Sequence, residues 1–293
     1  MKPYKSYIYC FLAILFFSTH EIIGKFIDSS ITPIAITFYR FIIGGLLISI
    51  YVFFNRNKFL PVINLKYIII CSCVGALNVC ISMYSLQLAI FYGQASFAAI
   101  IIGANSLFVS IFGFFILKEK LSSKNVICLI VGCIGMGIVI LGNFSNIGDS
   151  KNVLLGVFFA VLASITFALY TVLSKQQILK SNIHFFNSVA FSAGAIFLLI
   201  FGVFTNQDMS LGKDLNIIIA VIYLGVVVTC LAYFLLFEGI RNINSSIGAS
   251  FFFLKPVFVS ILAYFLLNET LNLTQILGIV VVFGSMTVQL KLK

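Results

Sequence analysis

The residues of this chain best placed to do chemistry are a few charged and polar side chains buried in otherwise apolar stretches. Lys255 stands in the middle of the apolar stretch 245–267, next to Pro256, about 15 Å from either end at a rise of ~1.5 Å per residue. A lysine at the centre of a hydrocarbon layer costs at least ~2.5–3.5 kcal/mol, so it must face a wet cavity or a carboxylate. A cation facing a cavity would seat a substrate, for instance through a carboxylate; a cation paired with Glu21 would only lock two helices. Buried charge of this kind favours the functional reading. Pro256 removes a backbone donor and frees a carbonyl near Phe252, which adds a kink beside the cation.

His20, Glu21 and Lys25 fall in the first apolar stretch and Arg40 in the second. Glu21 and Lys25 are i,i+4 neighbours, and Glu21 and Arg40 share a depth if the two stretches run antiparallel. A structural Glu21–Arg40 or Glu21–Lys25 bridge is therefore the expected pairing, with His20, Glu21 and Arg40 as the candidate coupling or gating groups. Asn78, Tyr84, Tyr170 and Tyr233 add polar tips that could touch a substrate, against the ordinary alternative of a packed tyrosine with one hydrogen bond. Glu119 and Glu269 lie in short corners, where a carboxylate is expected to cap the helix that follows.

These side chains need a membrane around them. Of the 293 residues 61% are apolar and 9% charged, against roughly 45–50% and ~25% in soluble domains. One interior cannot hide that much apolar surface, so lipid must cover most of it. Composition thus excludes a soluble enzyme and a nucleic-acid partner, despite a net charge of +10. Ten stretches are long enough to span: 7–27, 33–54, 65–89, 94–117, 125–141, 153–173, 183–204, 215–237, 245–267 and 273–290. Thirteen of the eighteen Lys and Arg residues fall in the two tails and loops of one side, and three in the loops of the other. That bias predicts cytoplasmic termini. All seven cysteines sit in apolar runs, as packing residues do. No P-loop is present, so ATP is not a direct driver. His20 and His184 are far apart and assemble no catalytic or metal-binding set, which argues against an intramembrane enzyme and any cofactor.

One ungapped offset of 150 residues aligns the chain with itself. Lys25 meets Lys175, Gly44 meets Gly194, Gly75 and Cys80 meet Gly225 and Cys230, and Phe108-Val-Ser-Ile111 meets Phe258-Val-Ser-Ile261. Each copy carries five spans, an odd number, so the second must enter the membrane upside down. Inverted halves can exchange conformations and open a midplane cavity to each side in turn, which favours transport. Asn105 is the counterpart of Lys255 and Tyr170 that of His20. Asn105, a donor and acceptor at once, suits a zwitterionic substrate, although an interhelical hydrogen bond explains it nearly as well.

The segments Pro33-Ile-Ala-Ile-Thr-Phe-Tyr-Arg40-Phe, Phe115-Ile-Leu-Lys-Glu119-Lys-Leu, Phe265-Leu-Leu-Asn-Glu269-Thr-Leu and Leu254-Lys-Pro-Val-Phe258 resemble the EamA family of the drug/metabolite transporter superfamily. The resemblance spans nearly the whole chain in two repeats, 1–142 and 151–293. It implies an all-α basket of ten transmembrane helices with a central cavity, moving small metabolites outward across a bacterial inner membrane. Two positions depart from the family pattern: Gly103-Ala-Asn105-Ser106 stands where a proline is usual, and Lys255 where an acidic or neutral residue is common. The reading is a secondary exporter of a small amino-acid-like metabolite, with protons as a candidate coupling ion and the oligomeric state open. A multidrug exporter of amphipathic compounds is the alternative, and an intramembrane enzyme a distant one.

Overall fold

A computed structural model describes residues 3–27, 30–55, 64–93, 95–143, 152–180, 182–266 and 273–291. Inside hydrocarbon every backbone amide must bond within its own segment, so an apolar run of ~20 residues becomes a helix. The described chain is accordingly all-helical, in ten rods. These are α1 (Pro3–Ile27), α2 (Pro33–Phe54), α3 (Leu65–Tyr92), α4 (Ala95–Gly103 and Asn105–Leu117), α5 (Ser123–Asn143), α6 (Val153–Ile178), α7 (Ile183–Phe204), α8 (Leu215–Arg241), α9 (Ser245–Leu266) and α10 (Leu273–Lys291). Eight are long and apolar enough to cross a membrane; α5 and α10 contribute the shorter apolar segments Ser123–Gly135 and Ile276–Ser285. Their ends carry polar caps: the Thr32 hydroxyl accepts from Ala35 N, Asn182 from His184 N, Asp214 from Asn216 N and Asn244 from Ser246 N. Outward faces expose Leu46, Phe53, Phe115, Phe197 and Phe265, the surface expected against lipid.

The two five-helix halves are interwoven rather than set side by side. Helices α2 and α7 pack together, as do α5 and α10, so equivalent helices meet across the pseudo-twofold. Helix α1 lies mainly against α8 and α9 of the other half, and α6 against α3 and α4. The glycines shared at the 150-residue offset are where these crossings are tightest. A Cβ on Gly75 would overlap the Ala190 backbone and one on Gly225 the Ile43 side chain, while Gly44 faces Thr229 and Gly194 faces Val79. In α5, Gly132 lies under the Phe253 ring and Gly135 against Val281 and Val282 of α10, so both serve internal packing.

The loop between α7 and α8 folds over the end of α2. Thr32 Oγ1 donates to the Asp208 carbonyl at 2.6 Å and Tyr39 OH to that of Met209 at 3.1 Å. Ser210 donates its N–H and hydroxyl to the Asp208 carboxylate, which holds that acid below the ordinary range.

The Glu119 corner differs from expectation. Its carboxylate accepts from Ser245 N at 2.9 Å and Ser245 Oγ at 3.0 Å, and pairs with Lys175 Nζ at 2.7 Å. It caps α9, not α5, because the end of α4 lies beside the start of α9, where free N–H groups attract a carboxylate. Lys175 Nζ also donates to the Ile243 carbonyl at 2.6 Å, and its counterpart Lys25 donates to the Gly93 carbonyl at 3.4 Å. Those acceptors are themselves 150 residues apart, so one anchor recurs at opposite ends of the two halves. Glu269 lies outside the described residues.

Gly75→Ala, which pushes α3 off α7, should cost about 1–3 kcal/mol and lower the melting temperature of the detergent-solubilised protein. Leu46→Ala on the lipid-facing side should move it little.

Candidate functional site

Four stretches of irregular backbone fall midway along their helices and converge. Leu77–Met83 in α3 and Leu224–Leu231 in α8 wind as π-helix, with an extra residue per turn. In α9 the segment Phe251–Leu254 tightens to a 3₁₀ turn. Pro256 accounts for the last: it has no N–H for the Phe252 carbonyl, and the Lys255 N–H takes that acceptor instead. Helix α4 breaks at the matching place without a proline. The Leu107 N–H bonds the Ala104 carbonyl and the Ser106 and Ser110 hydroxyls satisfy the Gly103 and Ser106 carbonyls. Irregular backbone at this depth is tolerated where it is buried in protein or lines a cavity.

A cavity does lie there. It has a volume of about 10 Å³, the room of a single water. Met83 and Val228 of the π segments, Ile102 beside the α4 break, and Phe252 and Lys255 of α9 face it, with Phe17, His20, Arg40, Leu86, Phe167 and Tyr233 completing its wall.

Around this cavity the structure gathers four ionisable groups. Lys255 Nζ lies 2.5 Å from Glu21 Oε1, and His20 Nδ1 lies 3.7 Å from the same oxygen. All are buried, Glu21 completely. Glu21 thus forms with Lys255 the pair that the sequence offered as the helix-locking alternative, and not the expected bridges to Arg40 or Lys25. The reason is the crossing of α1 onto α8 and α9: α1 does not run along α2, and Lys25 points on to Gly93. Arg40 makes no ion pair among the described residues, although Glu21 acts on it at a distance. Its Nη2 meets Met83 Sδ at 3.4 Å, its Cζ stands 4.9 Å from the Phe41 ring centre, Tyr233 is a further polar neighbour, and Nε has no hydrogen-bond partner.

Of the other sequence candidates, Tyr233 reaches the cavity, and its hydroxyl exchanges weak hydrogen bonds of 3.4–3.5 Å with the Asn78 amide. Asn78 itself stands one layer back. Tyr170 packs edge-on to Tyr233 with ring centres 6.2 Å apart, and its hydroxyl sits beside Ser174. Tyr84 turns toward Phe201 on α7. Asn105 is fully buried with neither amide atom bonded, outside the cavity lining. Met83 and the π segments were missed; only the glycines Gly75 and Gly225 near their starts marked those places.

The family model for EamA-like transporters matches the chain twice, over residues 4–141 and 154–290. A protein of Clostridium kluyveri described as an uncharacterized transporter is 33% identical over 96% of this chain and 92% of its own length. Another of that description, from Archaeoglobus fulgidus, is 25% identical over 96% of each. A solved crystal structure superposes with a TM-score of 0.75 at 16% identity, over 97% of this chain and 95% of that one, which shows a shared fold.

Removing one partner of the buried pair, by Glu21→Gln or Lys255→Met, should each cost about 3–5 kcal/mol because an unpaired charge is left behind. The double variant should recover most of that loss in a double-mutant cycle of detergent unfolding; simple additivity would mean that the pair is not formed.

Proposed function

Because the chain belongs to the EamA-like transporter family, we propose that this multi-pass membrane protein is a secondary transporter that exports a small amino-acid-like metabolite by alternating access across a bacterial inner membrane. The observation that carries the reading is the closed cavity at the seam of the halves, ringed by four irregular segments and holding cations beside a carboxylate. A zwitterion needs both signs, and a cavity holding about one water is the closed stage of a cycle whose open stages admit substrate from either side. The repeats 1–142 and 151–293 are the moving halves, and the excess of Lys and Arg on one side supports cytoplasmic termini.

Lys255, Arg40, Glu21, His20 and Tyr233 form the binding and coupling group. Asn78, Tyr84, Tyr170 and Asn105 stand further back as contacts reached when the halves separate. Protons suit the coupling role, since Glu21 lies against both His20 and Lys255, so that a proton taken up by Glu21 or His20 loosens the pair with Lys255. The rings of Phe17, Phe167, Phe252 and Tyr233 around the cavity favour a second reading, an exporter of amphipathic compounds; two buried cations weigh against cationic drugs.

Reconstituted in proteoliposomes, the wild type should accumulate at least one radiolabelled amino acid by counterflow. The Glu21→Gln/Lys255→Met double variant should lose uptake at least tenfold while melting near the wild-type temperature. Wild-type uptake by that variant would remove the pair from the mechanism, and uptake of ethidium in preference to every amino acid would favour the second reading.

A further inference from the structure

Lys255 is the obvious anion seat, yet its charge is already spoken for by Glu21 at 2.5 Å. Arg40 has no ion-pair partner among the described residues, and Glu21 acts on it only at a distance. It is 2% exposed, lines the cavity, and has no acidic group within ion-pair distance among the described residues. Its nearest neighbours are a thioether, a ring face and a phenol, and one of its nitrogens has no partner at all. An unpaired buried cation is among the costliest things a fold can keep. A thioether is a poor acceptor, and a methionine with its three rotatable bonds is easily displaced.

We propose, building on the transport reading, that the Arg40 guanidinium is the residue that binds the carboxylate of the substrate, with Met83 holding that place while the cavity is closed. The charge count limits the ligand. With Lys255 neutralised by Glu21, one positive charge remains, which matches the single charge of a carboxylate better than the ~1.5–2 charges of a phosphate monoester. The planar fork of a guanidinium accepts both oxygens of a carboxylate side by side. Arg40 thus selects the acid end of an amino acid, while Glu21 stays paired with Lys255. Swinging Met83 out of the guanidinium's way also moves the last residue of the π-helical segment of α3, so that filling the site is tied to a rearrangement of that helix.

The test compares the twenty amino acids, their C-terminal amides and phosphoserine as thermal-shift ligands of the full chain in lipid nanodiscs, for the wild type and for Arg40→Lys, Arg40→Gln and Lys255→Gln. At least one free acid should stabilise the wild type, and its amide should bind at least tenfold more weakly. Arg40→Gln should lose at least tenfold in affinity for that acid, and Arg40→Lys, which keeps the charge without the fork, should lose less. Three results would overturn the assignment: no acid shifts the wild type, the amides bind as well as the acids, or Arg40→Gln binds acids like the wild type while Lys255→Gln does not. Binding of phosphoserine through its phosphate in place of the acids would overturn the charge argument. Counterflow in proteoliposomes separates the two claims. Amides moved as readily as acids would leave transport standing and remove Arg40 from recognition; no counterflow with any compound would remove the transport reading itself.

Discussion

A formal charge in the middle of a bilayer has to be answered, and the ion pair between Lys255 on α9 and Glu21 on α1 is how this protein answers its deepest one. The pair constrains the fold because its partners come from opposite halves. Helix α1 must leave its own repeat and lie against α8 and α9 for the carboxylate to reach the ammonium group, and α6 repeats that crossing against α3 and α4. In the second crossing the positions equivalent to Lys255 and Glu21 are Asn105 and Thr171, which carry no charge. The fold is therefore symmetric in its backbone and asymmetric in its electrostatics, with the charged cluster belonging to one side of the pseudo-twofold.

Packing follows from the same crossings. Where α2 meets α8 and α7 meets α3, glycines at equivalent positions remove the side chains that would hold the helices apart. Close helix approach without large side chains gives little resistance to sliding, and it sits next to the π-helical and 3₁₀ segments whose backbone bonds are weaker than those of a regular helix. Tight contacts at the seam, with the Glu119–Lys175–Ser245 anchor at an end, suit the proposed rocking of the halves.

Much of this was readable from the sequence, for identifiable reasons. The shared glycines and the matched lysines Lys25 and Lys175 depend on spacing along one chain, which sequence records directly. The family resemblance, carried by the Arg40 and Glu119 segments, agrees with the matched family model. What spacing does not record is which helix lies beside which. Antiparallel neighbours along the chain suggested Glu21 with Arg40, and a corner before α5 suggested that Glu119 caps α5; both acids instead find partners on α9 because the halves interweave. The π segments left no mark beyond the glycines near their starts, since Leu77–Met83 and Leu224–Leu231 read as ordinary apolar helix.

In the proposed cycle the cavity between the halves opens to each face of the membrane in turn. Its most direct test is to replace the native cysteines, place a single cysteine at Met83 or Val228 on the cavity wall, and label it with a membrane-impermeant thiol reagent in right-side-out and in inside-out vesicles. Labelling from both faces, slowed when a transported amino acid is present, is the predicted result. A cysteine that reacts from one face alone, or from neither, would contradict it.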